Sequence, residues 1–190
     1  MRWDPRGVRL GREEVEMRMK TRGMAAALVV CFLAASGCKW KAPITKEPTR
    51  KIDARLLGTW LSAEDKDDDA RDALAVLKCD ESHYVVLFLK IDEKKKEVTD
   101  GVLTFRAHHS DLDKTPFVTV QDITGKERKY VYYTYKLSKD GKTLTLRTVN
   151  DELVPRNTES PEAVQKLLRK HAKDPKLFEE EPTSWVKSKN

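Results

Sequence analysis

Arg128-Lys-Tyr-Val-Tyr-Tyr-Thr-Tyr-Lys-Leu137 and Lys142-Thr-Leu-Thr-Leu-Arg-Thr-Val149, joined across Asp140-Gly141, decide the fold class. Both runs are rich in β-branched, aromatic and leucine residues that fit a pleated, half-buried surface. In the second run Leu144 and Leu146 share a face. The Asp-Gly pair between them signals a hairpin, because glycine accepts the positive φ of a tight turn. On strand alternation Tyr130 and Tyr132 point one way, Tyr133 and Tyr135 the other. One pair should line whatever interior the sheet encloses, where amphipathic rings suit a ligand. The competing reading is cross-strand packing that holds the sheet together.

Upstream, residues 74–79 and 83–91 are further strand-like runs, the second apolar on both faces as in a central strand. Residues 101–108 alternate, placing Leu103, Phe105 and Ala107 on one face, and residues 117–121 form a shorter run. Asp100-Gly101 is a second turn signal. Short strands without intervening helices predict a mainly β domain over residues 52–155. Its expected form is an antiparallel meander making a small barrel or half-barrel. The period then changes in residues 156–190. Ser160-Pro161-Glu162 offers an N-cap, a first-turn proline and an early acid, and Ala163, Val164, Leu167 and Leu168 follow at helical spacing. Asp174-Pro175 ends the helix, whose narrow apolar stripe should pack on the outside or the open end of the sheet. Leu177, Phe178, Trp185 and Val186 are expected as apolar residues docked after it.

The other end of the chain has a different character. Residues 24–35 are apolar throughout and preceded by Arg18, Lys20 and Arg22. As a helix they would measure roughly 18 Å, too short for a bilayer core of about 30 Å but suited to an export signal. The run ends in Leu33-Ala-Ala-Ser-Gly-Cys38, with small residues that enter a peptidase site in extended form and a thiol that can take lipid. This ending resembles the lipobox of bacterial lipoproteins, departing from it at Ala35, where the family usually has leucine. The resemblance implies that residues 17–37 are a cleaved signal and that Cys38 is lipidated with diacylglycerol and palmitate. It also implies a membrane-anchored protein of the cell envelope. Lys39 after the cysteine implies the outer membrane, facing the periplasm. Residues 1–16 precede a signal that is complete from Met17 or Met19, and an early start explains them. Residues 38–51, with Pro43, Pro48 and several charges, read as the lipidated cysteine and an extended tether. Thirteen tether residues reach roughly 40 Å.

Leu56-Leu-Gly-Thr-Trp60 resembles the Gly-x-Trp opening of lipocalin and calycin barrels. That resemblance implies that Gly58 permits close chain approach and Trp60 closes the barrel floor. It also implies that Arg147, in the last regular strand read from the sequence, covers the tryptophan as the family's late arginine does. The Thr-Asp-Tyr motif of the family is not present between the middle strands.

The remaining signals mostly exclude. Residues 1–37 carry seven basic against four acidic side chains, half of the net charge of +6. The rest is spread among charges of both signs, so no basic face for nucleic acid is indicated. Of three cysteines, Cys31 leaves with the signal and Cys38 takes lipid, so Cys79 has no partner and is expected as a small buried hydrophobe. His108 and His109 point to opposite faces of a strand and cannot easily share a metal. Asp65, Asp67 and Asp69 have calcium-loop spacing, but Ala70 stands where the loop needs glycine and Val76 where it needs glutamate. Lys94-Lys-Lys96, flanked by Asp92, Glu93 and Glu97, reads as a soluble hairpin tip, with contact to anionic lipid as the other reading. No nucleophile elbow, zinc spacing or phosphate loop is present. The expectation is a non-enzymatic protein with no cofactor or metal. It would bind a small apolar ligand in a lipocalin-like barrel near Tyr130, Tyr132, Tyr133, Tyr135, Leu103 and Phe105. The alternative is a structural or assembly accessory that contacts another envelope protein.

Overall fold

The computed structural model of the protein describes residues 40–63, 70–92, 94–95, 97–99, 101–125 and 128–188. The chain divides into two units, residues 1–38 and Lys39–Asn190, and the described residues belong to the second. The segments expected as an N-terminal extension and an export signal, and Cys38, lie outside them, as do Asp65, Asp67, Asp69, Lys96 and Asp100.

The described strands are β1 (Gly58–Ser62), β2 (Ala70–Lys78), β3 (His83–Asp92), β4 (Glu97–Val98), β5 (Leu103–His109), β6 (Phe117–Asp122), β7 (Tyr130–Leu137), β8 (Thr143–Thr148) and β9 (Thr183–Lys187). The helix α1 (Pro161–Lys170) lies between β8 and β9. Neighbours run antiparallel in the order β2-β1-β9-β8-β7-β6-β5-β3, and a further β2–β3 ladder joins the ends. The two-residue β4 only extends the edge of β3. The fold is therefore a closed eight-strand antiparallel barrel rather than a half-barrel, and closure removes the open sheet edges that invite pairing with other chains.

Successive strands reverse direction, so the connections separate into two ends. The β2–β3, β5–β6 and β7–β8 turns and the entry to β1 form one end, here the floor. The β1–β2, β3–β5 and β6–β7 connections and the long β8–β9 connection form the other, here the rim. At the floor, Gly141 takes φ +69° in the Asp140-Gly141 turn, as the hairpin signal requires. The Ser160 hydroxyl caps α1 by accepting from the Ala163 N–H at 3.1 Å.

Two cores result. The inner one gathers Trp60, Leu74, Val76, Tyr84, Ala107, Leu144 and Trp185 inside the barrel. The outer one lies between the outer faces of β6 and β7 and the helix, where Val164 and Leu168 meet Phe117 and Tyr132. The helix thus packs on the outside of the sheet.

Three readings of the chain need correction. The expected tether is a packed strap from Trp40 onward. Trp40 is 1% exposed and Ile44 0%. The Trp40 ring stacks on Tyr132 at 4.5 Å, and its indole N–H donates to the Val154 carbonyl at 2.7 Å. Trp40, Ala42 and Ile44 alternate with Lys41, Pro43 and Thr45, so the strap buries every second side chain as a strand does. Secondly, the expected docking tail is β9, which fills the gap between β8 and β1 and completes the ring. Thirdly, Cys79 is exposed, because it follows the last residue of β2 and enters the floor turn.

Candidate binding site inside the barrel

Ladder partners share a face, so the pairings assign each side chain. Tyr84 opposes Ala107, which opposes Val120, which opposes Val131. From these, Val86, Phe88, Leu103, Phe105, Val118, Tyr133, Tyr135 and Leu146 also face inward. Leu103, Phe105, Tyr133 and Tyr135 thus face the barrel interior. Tyr130 and Tyr132 do not. They face outward, and Tyr132 is fully buried against the strap, where its hydroxyl donates to the Ala42 carbonyl. Alternation along β7 separated the two pairs but did not say which one met the strap and the helix.

Solvent contact inside the barrel differs from strand to strand. Along β3, Tyr84 is buried whereas Val86 and Phe88 are partly exposed; along β5, Ala107 and Phe105 are buried whereas Leu103 is partly exposed. The same change, from floor to rim, runs from Leu144 to Leu146 and Thr148 on β8, and from Trp185 to Thr183 on β9. On β1, β2 and β7 it is reversed: Ser62, Asp72 and Val131 are buried near the rim, whereas Tyr133, Tyr135 and Leu137 are partly exposed toward the floor.

The floor is closed by a short 3-10 turn, Ala54–Leu56, and by Trp60. The fully buried Trp60 indole donates to the Leu56 carbonyl at 2.8 Å. A cation does lie over Trp60, but it is Lys187 of β9, whose ammonium stands 5.0 Å from the ring centroid and donates to the Arg55 carbonyl at 2.9 Å. Arg147 faces outward instead, with its guanidinium 5.3 Å from the Phe178 ring centroid. Gly58 is required by its φ of +121°, a conformation that residues with a Cβ rarely adopt.

Beside Trp60 the floor is polar. Arg50 of the strap donates to the Asp111 carboxylate at 2.6 Å and to the Tyr135 hydroxyl at 2.8 Å. The Tyr84 oxygen accepts from the Asp53 N–H at 2.5 Å and lies 2.8 Å from His109 Nε2. The direction of the Tyr84–Nε2 hydrogen bond is set by the imidazole tautomer, and the other ring nitrogen is Nδ1. That Nδ1 is buried and has no partner among the described residues. Burial, followed by the nearby Arg50 charge, pushes His109 down to about 4, so the ring is neutral near pH 7. Burial also raises Tyr84 to about 12 and keeps it a phenol. The site therefore offers apolar walls above a floor of neutral hydrogen-bonding groups, with the Arg50–Asp111 pair behind them.

His108 faces outward, its Nε2 lying 3.2 Å from the Thr45 carbonyl, so the two adjacent histidines do diverge. Among the described residues no group of three or more His, Cys, Asp or Glu side chains is arranged to hold a metal. The polar floor is not legible in the sequence, where Arg50 falls in a stretch that reads as a tether and His109 signals only a candidate metal ligand. Compared with family models, with curated proteins and with solved structures, the chain matches none.

Proposed function

We propose that the protein is a lipid-anchored envelope lipoprotein that binds a small apolar ligand inside its lipocalin-like barrel and performs no chemistry on it. The observation that carries this reading is the set of inward apolar side chains left partly exposed toward the rim, chiefly Val86, Phe88, Leu103 and Leu146. A barrel evolved only for stability gains by burying such groups completely. Tyr133 and Tyr135 add amphipathic surface to the same wall, and the neutral floor favours an uncharged or weakly polar ligand end. Anchoring rests on the apolar run, the small residues before Cys38 and the cysteine itself, and Lys39 favours the outer membrane.

Native mass spectrometry of the protein purified from a bacterial host tests both parts. The expected result is a Cys38-terminated chain carrying diacylglycerol and acyl mass, together with a co-purified lipid-like mass that a Val86→Phe substitution removes. A clean mass, and no uptake of an apolar fluorescent probe, would overturn the carrier reading. The assembly reading would then gain ground. It is favoured by the apolar outer face of β2 and β9, where Leu77 is 49% and Val186 43% exposed.

A further inference from the structure

The described residues carry five strongly exposed large hydrophobic side chains, and three of them stand at the rim. Val98 is 54% exposed on β4, Val102 is 44% exposed just before β5, and Ile123 is 46% exposed just after β6. Two strands hold them together. The Ile123 N–H donates to the Thr104 carbonyl at 3.2 Å, and Val98 lies opposite Ile91 on β3. Lys94, Lys95 and Arg128 stand nearby, but so do Asp92 and Glu97, so charge alone does not select a partner for this surface. Its apolar side chains do.

The first described residue, Trp40, lies at the same end. Trp40 forms a two-way backbone bridge to Tyr130, the first residue of β7, at 2.7 and 2.9 Å. Tyr130 in turn opposes Gln121, two residues before Ile123 and about 7 Å from it along the strand. Cys38 is two residues from Trp40, a span of at most about 7 Å. With the strap packed from Trp40 onward, an anchored chain has no tether with which to stand away from its membrane.

We propose that the rim bearing Val98, Val102 and Ile123 rests on the lipid bilayer, and that the protein takes its ligand, an acyl-chain amphiphile, from that membrane on the side of the interior where Phe88, Leu103 and Leu146 are partly exposed. The proposal deepens the carrier reading and uses the Cys38 anchor for its geometry, while the rim surface stands on its own. Apolar side chains enter the headgroup region, and the flanking lysines and arginine remain at headgroup level. Phe88, Leu103 and Leu146 would meet the chains of the lipid, and the polar floor its far end.

The test uses the full chain, processed in a bacterial host, with Cys79→Ser to remove the exposed thiol. Single cysteines at Ile123→Cys, Val102→Cys and, at the floor, Leu77→Cys carry an environment-sensitive fluorophore. The protein is reconstituted in vesicles of phosphatidylethanolamine and phosphatidylglycerol containing a lipid brominated on its acyl chain. Labels at 123 and 102 should shift to the blue and be quenched, and the label at 77 should not. Unquenched rim labels, or equal quenching at all three positions, overturn the proposal. Intact mass separates the two readings. Lipid on Cys38 with unquenched rim labels removes the rim contact and keeps the anchor. Quenched rim labels without lipid on Cys38, repeated with Cys31→Ser and Cys38→Ser so that the rim thiol alone is labelled, remove the anchor and keep the contact. In the same vesicles, Ile123→Asp should weaken binding of protein lacking lipid roughly tenfold, from the apolar burial lost.

Discussion

The two cores of this molecule are built from similar side chains and finished differently. In the outer core Trp40, Ile44, Tyr132, Val149, Val154, Val164 and Leu168 are all at most 1% exposed. In the inner core Val86, Phe88, Val118, Val120 and Leu146 remain partly exposed although they face the centre of a closed barrel. A barrel is normally stabilised by filling its interior. Here the strap and helix supply a sealed second core on the outside of β6 and β7, while the inner wall keeps partly exposed side chains. The fully buried core and the partly exposed wall thus lie on opposite faces of the same strands.

Trp40→Ala should break the comparison most severely. It removes a stacked, hydrogen-bonded side chain from the sealed core, and denaturant unfolding should show a loss of about 3–5 kcal/mol. A loss below about 1 kcal/mol would mean that the strap is not part of the core and that stability lies inside the barrel after all.

The next effect depends on pH. His109 titrates near 4 in the folded chain and near its ordinary value of 6.5 when unfolded. Between these values the unfolded chain binds more protons. The contribution is thus complete above about pH 6.5 and is lost as the pH falls toward 4, by on the order of 1–3 kcal/mol. Thermal unfolding of His109→Gln should show a flatter acid limb than the parent. Identical limbs would place the acid sensitivity elsewhere.

Ser160→Ala removes the N-cap of the helix that seals the outer core and should cost about 1 kcal/mol by chemical denaturation. The ligand mass should be unchanged, because α1 touches the outer face alone. Loss of ligand together with stability would show that the two cores are coupled.

The smallest effect on stability sharpens the contrast most. Val86→Phe adds volume to the half-open inner wall and should change stability by less than about 1 kcal/mol while abolishing uptake of an apolar probe. If it instead costs the ~1–3 kcal/mol of an overpacked core, the interior is already full.

Much of this architecture is legible in local patterns. The Asp140-Gly141 hairpin, the doubly apolar β3, the alternation of β5 and the Ser160 cap each depend on neighbours within a few residues. Gly58 and Trp60 were visible as a pair for the same reason. The strap could have been recognised from Trp40, Ala42 and Ile44 at every second position, but Pro43, Pro48 and the surrounding charges suggested a solvated linker. β9 carries five residues with a single buried tryptophan, too short to stand out from a tail that follows a helix. Because β9 was missed, Arg147 was the last basic residue on a recognised strand, and Lys187 was left in the tail. The polar floor draws on residues 50, 84, 109 and 135, which no spacing in the sequence relates.

By itself, the sequence determined most of the strand segments (though not β9), where the Asp140-Gly141 turn falls, how α1 begins and how the four tyrosines divide into two pairs. These follow from side-chain alternation, glycine's access to positive φ and local capping, all of which act over a few residues. Only the tertiary structure decided that the sheet closes, which tyrosine pair faces in and which cation covers Trp60. Those outcomes depend on β9 completing the ring and on the strap and helix covering the outer faces of β6 and β7. Such contacts join residues more than a hundred positions apart, Trp40 with Val154 and Arg55 with Lys187 among them.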